Sequence, residues 1–333
     1  MIIVTGGAGF IGSAIVHALN ERGRDDIVIV DHLGSSDKWK NCVALRYQEY
    51  IDKLQFIEQL ERGDYGEDID VLFHLGACSS TTERDADYLM ENNFRYSARI
   101  GAWWERHAAA RLIYASSAAT YGAGEQGYDD DLERLHLLRP LNMYGYSKHL
   151  FDLFARRRGW LDRIAGIKYF NVFGPNEYHK GDMRSVINKA YPRVRDEGKM
   201  ALFKSYRGKY GDGEQRRDFI YVKDAVAMTL FFMDHREIGG LFNVGTGKAR
   251  SWNDVAHALF SSVNKTTDIE YVAMPEPLRQ KYQYFTEADL TRLRKTGCTH
   301  ECRSLESSIK EYVLKYLSCD GYLAPEILLP HQR

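Results

Sequence analysis

The chain has 333 residues, of which 44% are hydrophobic and 27% are charged, and its formal net charge is -1 at pH 7. This length exceeds what a single hydrophobic core usually supports, so we expect one large domain and a smaller companion. A charge so close to zero gives no electrostatic reason for binding nucleic acid or an acidic membrane surface, and we expect a small-molecule partner instead.

Several features of the chain favour the cytoplasm. No secretory signal peptide is expected, because the opening apolar strand runs into a glycine-rich loop within five residues. The apolar run 225–233 is too short to span a bilayer. The five cysteines are too scattered for a disulfide framework, which favours a reducing compartment. The zinc candidates Cys298, His300, Cys302 and Cys319 lack the usual ligand spacing, so we predict no metal site.

The first motif lies at the N-terminus, where MIIVTGGAGFIG predicts a strand, a tight loop and a helix. The loop contains four glycines, Gly6, Gly7, Gly9 and Gly12. Glycines in this layout let backbone N–H groups approach a pyrophosphate, and the start of the helix adds partial positive charge. A second apolar strand, IVIV, ends in Asp31, where an acid suits a ribose hydroxyl. The pattern therefore predicts a dinucleotide-cofactor site.

Strand-like apolar runs recur along the chain with helical patterns between them. They lie at 2–4, 27–30, 71–74, 112–115 and 164–169. This alternation is typical of a parallel sheet with helices on both faces. We predict an α/β fold of the Rossmann type, a doubly wound parallel sheet, joined to a smaller, discontinuous substrate-binding lobe.

The boundary between the two lobes follows Phe173-Gly174-Pro175, where the chain becomes glycine-rich and strongly charged. We assign 1–175 and about 218–245 to the cofactor domain, because the stretch from 218 looks like a strand and helix that return to it. The substrate-binding domain then comprises 176–217 and 246–333. The tail from Gly321 onward contains two prolines, and we expect it to fray.

A second motif, Tyr144-Gly-Tyr-Ser-Lys148, lies near the start of a helix predicted from about 144 to 158. Residues four apart share a helix face, so the phenol and the ammonium point together. A neighbouring ammonium favours the phenolate and lowers the pKa of the tyrosine, which could then take a proton from a sugar hydroxyl. The pair alone occurs by chance in many helices, and it gains weight from the glycine loop.

A pair of serines ends the strand LIYASS, just before Ala118. A hydroxyl at the carboxyl end of a strand faces the crevice where open α/β sheets bind ligands. Ser117 is well placed to orient the hydroxyl that is oxidised, whereas Ser116 also fits an ordinary strand-ending turn.

The order TGGAGFIG, Asp31, SSAATYG, YGYSK and YFNVFGP resembles the extended short-chain dehydrogenase/reductase family, which includes nucleotide-sugar epimerases and dehydratases. Longer strings are similar to those of members that invert C6 of an ADP-linked heptose for the lipopolysaccharide inner core. These strings are GACSSTTERDADYLMENN, PLNMYGYSKHLFD, KYFNVFGPNEYHKGDM and KYQYFTEADL. The resemblance covers nearly the whole chain and implies an ADP-heptose substrate and a homo-oligomer, which is a pentamer in the resembled members.

The same resemblance implies roles for individual residues. It makes four residues catalytic, namely Ser117, Tyr144, Lys148 and Lys180. It places the cofactor against Gly6, Gly9, Phe10, Ile11, Gly12, Asp31, His32, Lys38, Lys53, Leu75, Gly76, Ala77, Cys78, Ser79, Asn92, Lys148 and Val172. It places the sugar nucleotide against Ser117, Asn171, Asp182, Lys189, Phe203, Lys204, Ser205, Tyr206, Arg217 and Tyr282.

The choice of cofactor depends on three residues. Asp31 favours NAD, because a carboxylate binds a ribose 2′-hydroxyl and repels a 2′-phosphate. Lys38 and Lys53 favour NADP, and the resembled heptose epimerases combine such an acid with these lysines and use NADP. We therefore expect NADP, with NAD as the alternative.

Three other functions are alternatives for this sequence. A UDP-sugar 4-epimerase of the same family would not need Lys180. A dehydratase needs an acid and a base beside the strand-end serine, and Ala118 and Ala119 can supply neither. A non-catalytic dinucleotide sensor would be expected to have lost Tyr144 or Lys148. The long loop RGKYGDGEQRRD departs from the resembled pattern and leaves open how the nucleotide is held.

Overall fold

The structure of the protein is a computed structural model that describes residues 1–279 and 282–326. Its strands are β1 (Ile2–Thr5), β2 (Ile27–Asp31), β3 (Glu49–Asp52), β4 (Val71–His74), β5 (Arg111–Ser117), β6 (Ala165–Tyr169), β7 (Asn171–Phe173), β8 (Met200–Phe203), β9 (Arg216–Tyr221), β10 (Gly240–Val244), β11 (Ala249–Ser251) and β12 (Ile269–Val272). Its α-helices are α1 (Phe10–Glu21), α2 (Lys53–Arg62), α3 (Ala86–Leu89), α4 (Tyr96–Arg106), α5 (Met143–Arg157), α6 (Val186–Glu197), α7 (Val222–Asp234), α8 (Trp252–Ser262), α9 (Glu276–Arg279), α10 (Thr291–Lys295) and α11 (Leu305–Lys315).

The main sheet has seven parallel strands in the order β10-β6-β5-β4-β1-β2-β3. The order reverses between β1 and β4, since β2 and β3 extend to one side and β5 and β6 to the other. In open α/β sheets this reversal creates a crevice at the carboxyl ends of the strands, where ligands bind. The predicted doubly wound α/β fold is therefore confirmed.

Successive residues of β1 show how the sheet is covered on both faces. Ile2 and Val4 pack into one core, together with Ile15 of α1. Ile3 packs into the opposite core, together with Trp103 of α4. Strands that are buried on both faces read as continuous apolar runs, which is why these strands were recognisable in the sequence.

The second lobe has its own core, built on a three-stranded sheet in the order β11-β9-β7 and a parallel β8–β12 pair. Phe173 of β7, Leu259 of α8 and Ile309 of α11 meet in this core. Helix α7 packs against α1 and the main sheet, as expected for a stretch that returns to the first lobe. Strand β9, in contrast, pairs with β7 and β11 outside the main sheet. The division into domains stays a prediction.

The tail differs from its predicted behaviour over the residues that can be compared. Leu323 is buried, and its N–H donates to the side-chain oxygen of Asn176 at 2.9 Å. The prediction that the tail frays is therefore wrong for 321–326, because an apolar side chain and a buried amide hold it. The remaining positions, 327–333, lie outside the described residues. Among the residues described, no helix is long and apolar enough to cross a membrane.

Candidate active site

The glycine loop between β1 and α1 is packed too closely for larger residues. Gly6 has a φ of +70°, and a Cβ at Gly12 would lie 2.1 Å from the carbonyl oxygen of Gly6. Gly9 precedes α1 without a capping side chain, so the first N–H groups of the helix are free of an internal side-chain acceptor. A backbone cradle of this kind at a helix N-terminus binds anions such as a pyrophosphate.

Asp31 ends β2 beside this loop, and its carboxylate is fixed by three donors. It accepts from the N–H of Ala8 at 3.0 Å, from the N–H of His32 at 2.7 Å and from the Lys38 ammonium at 2.6 Å. The lysine balances the negative charge of the carboxylate, so this corner can accept a hydroxyl without repelling a nearby phosphate.

A cavity of about 660 Å³ extends from the glycine loop to the second lobe. Most of the predicted site residues line it, namely Gly6, Gly9, Phe10, Ile11, Gly12, Asp31, Lys38, Leu75, Gly76, Ala77, Cys78, Ser79, Ser117, Tyr144, Lys148, Asn171, Val172 and Lys180. The structure thus brings the predicted catalytic residues and most of the predicted cofactor residues to one cavity.

Three predicted cofactor residues lie beside the cavity lining rather than within it. Lys53 starts α2 and donates to the side-chain oxygen of Asn92 at 2.5 Å. The His32 ring lies 3.1 Å from a carboxylate oxygen of Asp52 and is exposed. Each side chain therefore has a protein partner in this structure.

The predicted catalytic tyrosine and lysine lie on the first turns of α5, which begins where Asn142 caps the N–H of Gly145 at 2.8 Å. Burial raises the pKa of Tyr144, and its hydrogen bond with Ser117 opposes that shift. Burial lowers the pKa of Lys148 to about 8. Its ammonium donates to the carbonyl of Ala115 at 2.7 Å. The predicted lowering of the Tyr144 pKa by Lys148 is therefore wrong: burial raises this pKa, and the Lys148 ammonium donates to a carbonyl instead.

Lys180 also lines the cavity and lies in the short helical turn Tyr178–Met183. It is half-buried, and its ammonium lies 5.2 Å from the ring centroid of Phe10. Burial lowers its pKa, while the carboxylate of Glu177 opposes the shift. A partly desolvated lysine of this kind can exchange a proton more readily than a solvated loop lysine.

A second group of predicted substrate residues lies next to the cavity. Trp252, which lines the cavity, connects this group to it. The indole N–H of Trp252, which lines the cavity, donates to the hydroxyl of Tyr282 at 2.8 Å. The guanidinium of the buried Arg217 lies 5.1 Å from the Tyr282 ring centroid, and the Phe203 ring lies 6.5 Å from it. Arg217, Tyr282 and Phe203 therefore form a cluster of one cation and two aromatic rings in the second lobe, which we call the Arg217 cluster.

The other predicted substrate residues are placed further out. The Lys189 ammonium donates to the carbonyl of Asp182 at 3.0 Å, and both residues are exposed. Lys204, Ser205 and Tyr206 follow β8 and begin the long loop. None of these five residues is among those that line the cavity.

Trp252 and His179 are among the cavity residues that the sequence did not predict. Trp252 follows a capping serine, and nothing in its neighbourhood distinguishes it from a core aromatic residue. His179 directly precedes Lys180 in the string EYHKGDM, and this position beside a predicted catalytic residue could have indicated that it lines the site. Burial lowers the pKa of His179 to about 4, and its ring lies 3.2 Å from the Asn41 amide.

The four zinc candidates do not all come together in the structure. His300 and Cys302 bring their donor atoms within 4.8 Å of each other and of an Asp224 carboxylate oxygen. Cys298 is buried in the core, and the Cys319 thiol donates to the carbonyl of Lys315 at 3.3 Å. The His300–Asp224 contact is an ordinary 3.0 Å hydrogen bond. The absence of a metal stays a prediction.

A comparison with protein families decides which family the chain represents. The model of the NAD dependent epimerase/dehydratase family matches residues 2–245. The chain belongs to this family. Membership of this family implies a nucleotide cofactor. The glycine cradle fits one, because the start of α1 has no capping side chain and Gly12 allows the helix to pack closely against Gly6 of the loop.

Individual members of the epimerase/dehydratase family show the same likeness. A protein of Nitratidesulfovibrio vulgaris (strain Hildenborough) named ADP-L-glycero-D-manno-heptose-6-epimerase is 55% identical over 318 residues, which cover 96% of this chain and 98% of that protein. The crystal structure of the Helicobacter pylori enzyme of that name is 28% identical, with a TM-score of 0.79 and 94% of each chain covered.

A likeness to a second kind of epimerase extends only to the fold. The UDP-N-acetylglucosamine 4-epimerase of Methanobrevibacter ruminantium is 24% identical, with a TM-score of 0.80 over 96% of this chain and 98% of that one. The resemblance drawn from the motifs is confirmed by these comparisons, and the protein is an enzyme of the epimerase type.

Proposed function

We propose that this protein inverts C6 of ADP-D-glycero-D-manno-heptose to give ADP-L-glycero-D-manno-heptose, in the cytoplasm, for the lipopolysaccharide inner core. The observation that carries the proposal is the 55% identity to a heptose epimerase over 96% of the chain. The geometry supports it, because Ser117, Tyr144, Lys148 and Lys180 line one cavity.

The proposed chemistry needs a proton-exchanging group on each side of the sugar carbon. The dinucleotide, when bound, supplies a reversible hydride acceptor that is restored at the end of each cycle. Tyr144 takes the proton of the C6 hydroxyl, which Ser117 orients, and Lys148, beside the Ala115 carbonyl, would hydrogen-bond the nicotinamide ribose. Lys180, which lines the same cavity, exchanges the same proton when the sugar presents its other face.

We propose NADP as the cofactor, held partly by Lys38. Its ion pair with Asp31 offsets the repulsion that the carboxylate alone would exert on a 2′-phosphate. Lys53 and Asn92 lie together near the same end of the sheet, and with His32 they would complete the adenosine end.

We assign the sugar nucleotide to the remaining predicted residues. Arg217 suits a diphosphate, because a guanidinium can donate two parallel hydrogen bonds. Tyr282 and Phe203 supply aromatic faces beside it. The loop after β8 and the exposed pair Asp182 and Lys189 would close over the nucleotide. We also expect a homo-oligomer, as in the resembled members.

The proposal is tested by a proton NMR time course with ADP-D-glycero-D-manno-heptose and no added reductant, beside a parallel reaction with UDP-galactose. We expect the L-glycero epimer to accumulate without net consumption of cofactor. Conversion of UDP-galactose alone would overturn the heptose assignment and return Lys180 to an ordinary loop residue.

A further inference from the structure

A buried carboxylate continues the catalytic face of α5. Asp152 lies four residues after Lys148 and eight after Tyr144, so the three side chains share one side of the helix. Asp152 is fully buried. It accepts from the hydroxyl of Tyr114 at 2.9 Å and from the hydroxyl of Ser116 at 2.7 Å.

The partner of this carboxylate is a buried lysine on β6. The Lys168 ammonium lies 3.5 Å from Asp152, and both side chains are almost completely excluded from solvent. Lys168 also donates to the hydroxyl of Thr120 at 2.7 Å, and that hydroxyl donates to the carbonyl of Ser117 at 2.8 Å. The ion pair therefore contacts both ends of the strand-end turn that carries Ser117.

Stability alone does not explain such a pair. Removing two charges from water is costly, and well-packed apolar residues of similar volume are often equally or more stable. A buried ion pair beside the reacting groups is better explained by its electrostatic effect on those groups, since electrostatic interactions are strong where water is excluded.

The groups facing Lys148 come from several elements. Asp152 on its own helix raises its pKa, and so does Cys78 after β4, while burial lowers it to about 8. His74 of β4 also faces it and is neutral, because burial lowers the pKa of that imidazole to about 3. The Lys148 ammonium also donates to the carbonyl of Ala115.

The groups facing Lys168 are also charged. Besides Asp152, the carboxylates of Asp130 and Asp129 favour its ammonium form against burial. Lys168 further lies 4.5 Å from the ring centroid of Tyr121. Loss of Asp152 would therefore leave Lys168 with weaker partners, and Lys148 with Cys78 as the remaining acidic neighbour.

We propose that Asp152 is a positioning residue of the epimerase site, whose carboxylate keeps Lys148 protonated and, with Lys168, holds Ser117 in place against Tyr144. The inference rests on the proposed roles of these three residues and not on the identity of the sugar.

The first test compares Asp152→Asn with Tyr114→Phe. Both variants remove an interaction at the same buried carboxylate site, but only the first removes the charge. The Lys148 side-chain ¹³Cε resonance, assigned with Lys148→Arg, is titrated in substrate-free protein. We expect the midpoint in Asp152→Asn to fall by at least about one pH unit, and Tyr114→Phe to keep the wild-type midpoint. An unchanged midpoint in a folded Asp152→Asn would overturn the proposal.

The second readout is turnover across pH, measured beside the wild type. We expect kcat of Asp152→Asn to fall at least about tenfold, its alkaline limb to begin at lower pH, and KM to stay within about threefold. Inactive wild type would refute the proposed function instead, and the titration would still decide the role of Asp152.

A third variant covers the case in which Asp152→Asn does not fold. Asp152→Asn combined with Lys168→Met removes both buried charges, so no uncompensated charge remains. We expect this protein to fold and still to show the lowered Lys148 midpoint. Wild-type titration and wild-type kcat in the double variant would overturn the proposal.

Discussion

The cofactor half and the substrate half of the cavity are built in different ways. Around the glycine loop, the contacts come from short segments at adjacent strand ends, such as 6–12 after β1 and 75–79 after β4. On the other side, Phe203, Arg217 and Tyr282 come from separate parts of the second lobe and reach the cavity through Trp252. The comparison teaches that local motifs reveal a cofactor site, whereas a substrate site depends on long-range packing.

The largest expected effect lies where the two halves meet. We predict that Tyr144→Phe lowers kcat by about 10³-fold, because it removes the group that exchanges the proton of the sugar hydroxyl. Cofactor binding should remain close to wild type. The measurement is the initial rate of epimer formation by NMR. The control is Tyr146→Phe, on the same helix but 46% exposed, which should keep nearly full activity. Equal losses in both variants would contradict the assigned role.

A change in the glycine loop should damage the cofactor half selectively. In Gly12→Ala, the new Cβ would lie 2.1 Å from the Gly6 carbonyl oxygen, so the loop must shift. Overpacking of this kind costs roughly 1–3 kcal/mol, and we expect cofactor affinity to fall by about 10- to 100-fold in a fluorescence titration. Gly208→Ala, where a Cβ meets nothing within 4 Å, is the matched control and should bind normally.

A change in the Arg217 cluster should weaken substrate binding and leave cofactor binding unchanged. Arg217→Lys keeps the positive charge but loses the parallel pair of hydrogen bonds to a diphosphate. We expect KM for the sugar nucleotide to rise about tenfold while cofactor affinity is unchanged. Arg216→Lys, at the adjacent exposed position of β9, should have wild-type KM. A fall in cofactor affinity in Arg217→Lys would contradict the assignment of Arg217 to the substrate half alone.

An effect no larger than that of Arg217→Lys is expected on the choice between the two cofactors. Lys38→Met leaves the Asp31 carboxylate without the ammonium that lies 2.6 Å away. We expect the ratio of NADP to NAD affinity, measured by calorimetry, to fall by about tenfold. Lys40→Met removes an exposed lysine that pairs with Asp37, and it should leave the ratio unchanged. An unaltered ratio in Lys38→Met would remove the support for NADP.

The sequence predicted the main sheet well for a physical reason. Strands covered on both faces are continuous apolar runs. The strand order reverses at β1, and the glycine-rich loop that follows β1 is recognisable in the sequence. Strand β9 was harder to place, because a short apolar run such as FIY does not indicate which sheet it joins. Its partners, β7 and β11, are set by long-range pairing.

The site shows the same limit. The four-residue spacing of Tyr144 and Lys148 sets their common face before any tertiary contact forms. The Asp31–Lys38 ion pair, the Lys180–Phe10 contact and the indole of Trp252 depend on how separate segments meet, and no local pattern encodes them. The position of Lys148 against a carbonyl likewise depended on the packing of α5 against β5.

The contacts of residues 323 and 324 also bear on how the protein is made. The N–H of Leu323 donates to Asn176, Asn176 donates to the hydroxyl of Ser13 on α1, and the carbonyl of Ala324 lies 3.2 Å from His17. The first helix of the cofactor half is therefore braced by a segment that lies about 300 residues further along the chain, since His17 and Ala324 are 307 positions apart. The N-terminal lobe can begin to fold during synthesis, but the cofactor helix gains this support only once residues 323 and 324 have been made.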